Sequence, residues 1–75
     1  MLTKEELGLL IKQLRLSKRK PMGQKYTQTD LAKEVGLSQG YIGDIESGRT
    51  YPTYVTLVKI AEALGSNLSY FDDKK

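Results

Sequence analysis

An all-α domain of five short helices is what this sequence predicts, from three observations. Apolar residues recur at the three- and four-residue spacing of a helix face, never in the alternation of a strand. Thr, Ser or Asn stands just ahead of each apolar set, where an N-cap belongs. Glycines close most of the sets, as helix stops do.

The first helix starts behind Thr3. Thr3 and Glu6 make a capping box, Leu2 staples onto Leu7, and Leu7, Leu10, Ile11 and Leu14 form the buried stripe as far as about Ser17. Residues 17–26 read as a basic loop, because Pro21 cannot continue a helix and Gly23 follows it. Thr27 caps the second helix with Asp30 at its third position; Leu31, Ala32 and Val35 face inward and Gly36 ends it. Ala32 is small where the next helix must come close. Ser38 caps the third helix, in which Ile42 and Ile45 face inward before Gly48. After a turn over 49–52, Thr53 caps a fourth helix carrying Val55, Leu57, Val58, Ile60, Ala61 and Leu64. Asn67 caps a fifth holding Leu68 and Phe71, and 72–75 fray.

Seventy-five residues make one domain, 1–75. The chain has no Cys and no His, which removes disulfides, thiolate metal sites and the commonest general base and metal ligand. No metal, cofactor or catalytic role is expected. Asp44 and Glu46 stand two apart on a helix and do not face each other, and Gly40 and Gly43 follow no strand and make no phosphate loop. No apolar run approaches the roughly 20 residues of a membrane helix, and the opening residues lack a signal-peptide pattern. A cytoplasmic, nucleoid-associated protein is the expectation. The net charge is +3, but its distribution says more. Between Leu7 and Thr29 there is no acid, while Lys12, Arg15, Lys18, Arg19, Lys20 and Lys25 are all basic. Such a stretch is the footprint of a polyanion partner, the other reading being a solvated, disordered basic loop.

The informative segment is 28–47, two short helices joined by a tight glycine-containing turn. Together with Leu7-Gly8, Ile11, Leu14-Arg15, Thr27-Gln28, Leu31-Ala32, Val35-Gly36-Leu37-Ser38, Tyr41-Ile42, Ile45-Glu46, Gly48, Pro52 and the run from Leu57 to Gly65, it resembles the Cro and phage-repressor family of helix-turn-helix domains over residues 7–71. The resemblance implies a five-helix, lambda-repressor-like fold that binds operator DNA as a symmetric homodimer. The function it implies is a sequence-specific transcriptional regulator, a repressor, inserting the helix at 38–47 into the major groove.

Site roles follow position by position. Gln28 matches a family glutamine that binds a phosphate and supports a second glutamine at the start of the recognition helix, here Gln39. A glutamine amide pairs with N6 and N7 of adenine, so Gln39 is the leading base reader. Gln39, Gly40, Gly43, Asp44 and Ser47 share one face. Two readings stand for the glycines: close approach to the groove floor, or tolerated neutral positions. Two also stand for Asp44: accepting from cytosine N4, which we favour, or pairing with Arg49. Thr27, Ser47, Arg49, Thr50, Tyr51 and Tyr54 suit phosphate oxygens; Tyr41 either reaches a phosphate or packs. Arg15 and Glu46 match a family ion pair and are assigned to the scaffold.

Two departures stand out. Between Arg15 and Gln28 the chain exceeds the family spacing by about six residues, a long connection for so small a domain. The surplus is the basic loop, read as an arm that contacts the DNA backbone through Lys18, Arg19, Lys20 or Lys25. Leu9, Leu10 and Leu16 make the first helix apolar on more than one face; the favoured cover is that loop, with Met22 as the plug, over a partner chain. Leu68, Tyr70 and Phe71 are the candidate dimer surface. The alternative function is a protein-interaction module, an antirepressor or antitoxin on the same fold.

Overall fold

The computed structural model describes residues 2–66 and places four helices among them: α1 (Lys4–Ser17), α2 (Gln28–Val35), α3 (Gln39–Glu46) and α4 (Tyr54–Ala63). The expected fifth helix, and with it Leu68, Tyr70 and Phe71, lies outside the described residues.

Each helix begins at the cap its sequence signals. Thr3 Oγ1 accepts from the Glu6 amide at 3.0 Å, and Glu6 Oε1 accepts from the Thr3 amide at 2.9 Å. Thr27 and Asp30 close the same reciprocal box on α2, at 3.2 and 2.8 Å. Ser38 and Thr53 cap α3 and α4 through the amides of Tyr41 and Thr56. Asp30 is held below the usual carboxylate range by the Thr27 backbone amide first, then by the Thr27 hydroxyl and by Lys20. A carboxylate with a depressed pKa favours the folded chain above the ordinary Asp range, and that contribution is lost as pH falls through the folded value. α2 ends at Gly36 in the left-handed region (φ 75°), and Leu37 N–H returns to Ala32 O at 2.8 Å, which turns the chain sharply into α3.

Helix α3 packs on both α1 and α2, and α4 packs on α2. Leu7, Ile11, Leu31, Ile42, Ile45 and Ile60 are fully buried between them. Gly8 sets how near α1 comes to α3. A side-chain carbon there would fall on the carbonyl oxygens of Ile45 and Glu46, well inside contact distance. The bare backbone at Gly8 therefore brings the last turn of α3 against α1, and with it Glu46.

The basic segment is a small hairpin, not an irregular loop. Arg19 and Lys25 face each other in an isolated antiparallel bridge. Gly23 N–H donates to Lys20 O at 2.8 Å and Lys20 N–H to Gln24 O at 2.9 Å, with Gly23 at φ 85°. Those bonds are the pattern of a type I turn closed by a glycine bulge, which needs a left-handed residue at that position. The strands are too short to show an alternating pattern, which is why the sequence reads as a loop.

The hairpin does not cover α1. Met22 is 86% exposed, and Leu9 and Leu16 are 54% and 51% exposed; only Leu10 is half-buried against the core. The reason is where the hairpin is tied. Lys20 Nζ lies 3.2 Å from Asp30 Oδ1, which draws the hairpin toward the start of α2 and holds its apex away from α1. No helix among the described residues is long and apolar enough to cross a membrane.

These contacts predict opposite outcomes for two glycine-to-alanine changes. Gly8→Ala should cost about 1–3 kcal/mol in urea unfolding, because the helices must separate. Gly40→Ala meets nothing within 4 Å and should stabilise by up to about 1 kcal/mol through helix propensity.

Candidate nucleic-acid interface

Helical periodicity divides α3 cleanly. Ile42, Ile45 and Glu46 are buried; Gln39, Gly40 and Ser47 are exposed, and Gly43 and Asp44 half-exposed. Besides Ser47, the outward face carries only two polar side chains, those of Gln39 and Asp44. At Gly40 a methyl group would meet open space, and at Gly43 it would lie 3.6 and 3.8 Å from the amides of Gln28 and Gln39. The backbone of α3 is therefore bare on the side that a groove would meet.

A chain of hydrogen bonds runs from the core to this face. Arg15, at the end of α1, forks onto Glu46: Nε donates to Oε2 at 2.6 Å and Nη2 to Oε1 at 3.1 Å. Its Nη1 donates to the backbone carbonyl of Tyr26 at 3.1 Å. The two side chains keep 9% and 2% of their surface. Glu46 Oε1 also accepts from Gln28 Nε2 at 2.9 Å, and Gln28 Oε1 accepts from Gln39 Nε2 at 2.6 Å. Among the described residues no buried side-chain polar atom lacks a partner.

The direction of this chain is chemically forced. A guanidinium only donates and an ionised carboxylate only accepts. Glu46 thus requires the NH₂ end of Gln28, and Gln28 then offers its oxygen to Gln39. Gln39 must answer with its own NH₂. What remains for an outside partner is the Gln39 oxygen and one N–H, the acceptor–donor pair that adenine N6 and N7 complement. Gln28 likewise keeps one N–H for a phosphate.

The other sequence-predicted site residues sort differently. Asp44 Oδ1 accepts from Arg49 Nη1 at 2.7 Å at the surface. Pairing with Arg49, the less favoured reading, is thus the arrangement in the free protein, because the turn after α3 brings the guanidinium back beside it. Tyr41 is half-buried and packs against the core. The Tyr51 hydroxyl donates to Leu2 O at 3.4 Å, while Tyr54 is 70% exposed and Thr50 half-exposed at the start of the α4 segment. Thr27 is exposed, its hydroxyl engaged with Asp30 Oδ2 at 2.9 Å.

Lys18 is a correction. It was expected in the arm, but its ammonium turns inward, donating to Ala63 O, lying 3.6 Å from Glu34 and 4.4 Å above the Tyr26 ring. A carbonyl, a carboxylate and an aromatic ring from three parts of the fold hold it there, and no local sequence pattern announces them. Tyr26 donates its hydroxyl to Glu34, and its pKa is raised by burial and then by that bond. Lys18 and Tyr26 therefore root the hairpin. Lys20 braces it on Asp30, and Arg19 and Lys25 remain exposed beside a cleft of about 140 Å³ lined by Arg15, Leu16, Arg19, Lys25, Tyr26 and Thr27.

The helix-turn-helix family HTH_3 matches residues 11–71. The chain is 39% identical over 69 residues to the ImmF control region 10 kDa protein of Bacillus phage phi105, an alignment covering 92% of this chain and 70% of that protein. It is 44% identical over 45 residues to the immunity repressor protein of the same phage, 60% of this chain but 31% of the repressor. Among solved structures, the clp gene regulator ClgR from C. glutamicum superposes with a TM-score of 0.80 at 27% identity, covering 95% of this chain and 83% of that one. The restriction-modification controller protein C.AhdI from Aeromonas hydrophila superposes at 0.78 with 26% identity, covering 92% and 91%.

Breaking the ion pair from one side should be severe. Arg15→Met leaves a carboxylate uncompensated and should cost about 3–5 kcal/mol in urea unfolding. The double change Arg15→Met/Glu46→Met removes the stranded charge and should recover most of that loss.

Proposed function

The chain belongs to the helix-turn-helix family of DNA-binding transcriptional regulators, and from that premise we propose that it represses by holding α3 in the major groove of a two-fold operator as a homodimer. In such a dimer the recognition helices sit about 34 Å apart, one turn of DNA. The observation that carries the base-reading part is the hydrogen-bond chain ending at Gln39, because it presents one fixed acceptor–donor pair on an otherwise bare helix face.

Gln39 reads an adenine. Gly40 and Gly43 let the α3 backbone approach the groove floor, and Asp44, with Oδ2 directed to cytosine N4 and Oδ1 kept on Arg49, is the second polar group at the bases. Gln28, Thr27, Tyr41, Ser47, Arg49, Thr50, Tyr51 and Tyr54 flank this face and form the backbone clamp. Such contacts fix register and carry no sequence information. Arg19, Lys20 and Lys25 add phosphate contacts from the hairpin, whereas Lys18 holds its root.

Selection of bound duplexes from a random-sequence pool tests this reading. The expected product is a two-fold site with adenine at the Gln39 position. Gln39→Ala should lose the preference at that base, about 1–3 kcal/mol of discrimination, with an unchanged melting temperature. Arg19→Ala and Lys25→Ala should weaken binding to all sequences and flatten the salt dependence by about 0.9 in log–log slope per lost phosphate contact. Enrichment of no site would contradict the reading.

A further inference from the structure

The hairpin between α1 and α2 has an apex that the fold does not use. Pro21 and Met22 occupy the two central positions of its turn, and Met22 is the most exposed large apolar side chain among the described residues, at 86%. A single exposed apolar side chain is ordinary on a surface; what sets Met22 apart is its place at the tip of a hairpin whose arms are basic, which gives it a partner to fit.

Charge states what kind of partner. Arg19, Lys20 and Lys25 lie on the two arms of the hairpin, and no acid lies between Leu7 and Thr29; Lys20 pairs with Asp30, and Arg19 Nη1 donates to Leu16 O at 2.6 Å and Lys18 O at 3.0 Å. Arg19 and Lys25 also stand opposite each other across the bridge. Position points the same way. The turn bonds and the Lys20–Asp30 pair fix the hairpin against the first turn of α2, beside Thr27 and Gln28. A cationic ribbon with an apolar tip, held next to a helix already assigned to the DNA backbone, suits DNA better than an apolar protein groove.

We propose that the hairpin is a second DNA-reading element, in which Met22 enters the minor groove adjoining the α3 site while Arg19 and Lys25 hold the bordering phosphates. This rests on the DNA-binding reading above. Size limits how it acts. Paired strands lie about 4.8 Å apart before their side chains are counted, and the B-form minor groove is about 6 Å wide. The ribbon therefore stays outside and only the Met22 side chain goes in. An apolar wedge there parts a base step and bends the duplex, most easily at pyrimidine–purine steps. The consequence is a flanking preference that α3 never touches.

The experiment uses the full chain and the duplex enriched from the random pool, comparing Met22→Asp and Met22→Leu with the unsubstituted protein by affinity and hydroxyl-radical footprinting. Met22→Asp should bind roughly tenfold more weakly. It should also lose protection of the flanking minor-groove sugars and any preference at the flanking step, yet keep the adenine preference set by Gln39. Met22→Leu should restore both affinity and protection. Because the side chain is exposed, the melting temperature of each variant should match that of the unsubstituted protein. Met22→Asp with unchanged affinity, or with weakened affinity but intact flanking protection, overturns the proposal. Failure of the unsubstituted protein to enrich any duplex overturns the DNA-binding reading together with it.

Discussion

The carboxylate of Glu46 is the group on which the rest of this structure depends. Burying an ionised carboxylate is costly unless its lone pairs are satisfied and its charge is matched. Here Arg15 does both with a forked contact, and Gln28 takes up the remaining capacity of Oε1. The same pair ties three helical segments together, because Arg15 also reaches the carbonyl ahead of α2. Gly8 is part of the arrangement: only without a side chain there can α1 lie close enough to α3 for Arg15 to reach. A group that looks like a stability device therefore also sets the orientation of two side-chain amides at the surface.

On the proposed reading, that link is how so sparse a face would read bases. With glycine at 40 and 43, α3 presents few side chains to a groove. In the proposed complex, specificity would then come from the fixed orientation of those present and from contacts elsewhere. Gln39 gains orientation from Gln28, and Asp44 and Arg49 hold each other at the far end of the helix. An amide held by its neighbour loses less rotamer freedom on binding, so more of its hydrogen-bond energy appears as discrimination. The hairpin beside α2 enlarges the cationic surface, and only its root, through Tyr26, adds to the core.

Much of this was legible in the sequence, for physical reasons. Thr3, Thr27, Ser38 and Thr53 announce helix starts because capping is a local interaction between residues three apart. Gly36 announces the turn for an equally local reason. The family resemblance pointed to the partnership of Gln28 with Gln39 and of Arg15 with Glu46, but the bond from Gln28 to Glu46 that joins the two pairs joins side chains distant in sequence. Gly8 carried a signal, a glycine beside the apolar stripe of α1, whose meaning depends on what α3 places opposite it. The hairpin was hidden because one bridge and a bulged turn leave no alternating pattern, and Lys18 because its acceptors lie on separate parts of the fold. The expectation that Met22 covers Leu9 and Leu16 failed because hydrophobicity alone does not say which way a tethered turn will lean.

A double-mutant cycle between Gln28 and Gln39, read as affinity for the selected duplex and for the same duplex with the adenine replaced, probes the relay most directly. If Gln28 orients the reading amide, Gln28→Ala loses most of the adenine preference that Gln39→Ala loses, and the double variant loses little more than either alone. The coupling should then be about 1 kcal/mol or more. Additive losses, or a Gln28→Ala variant that weakens both duplexes equally and leaves the preference intact, would show that Gln39 reads its base unaided and that the chain from Arg15 through Glu46 ends at the scaffold.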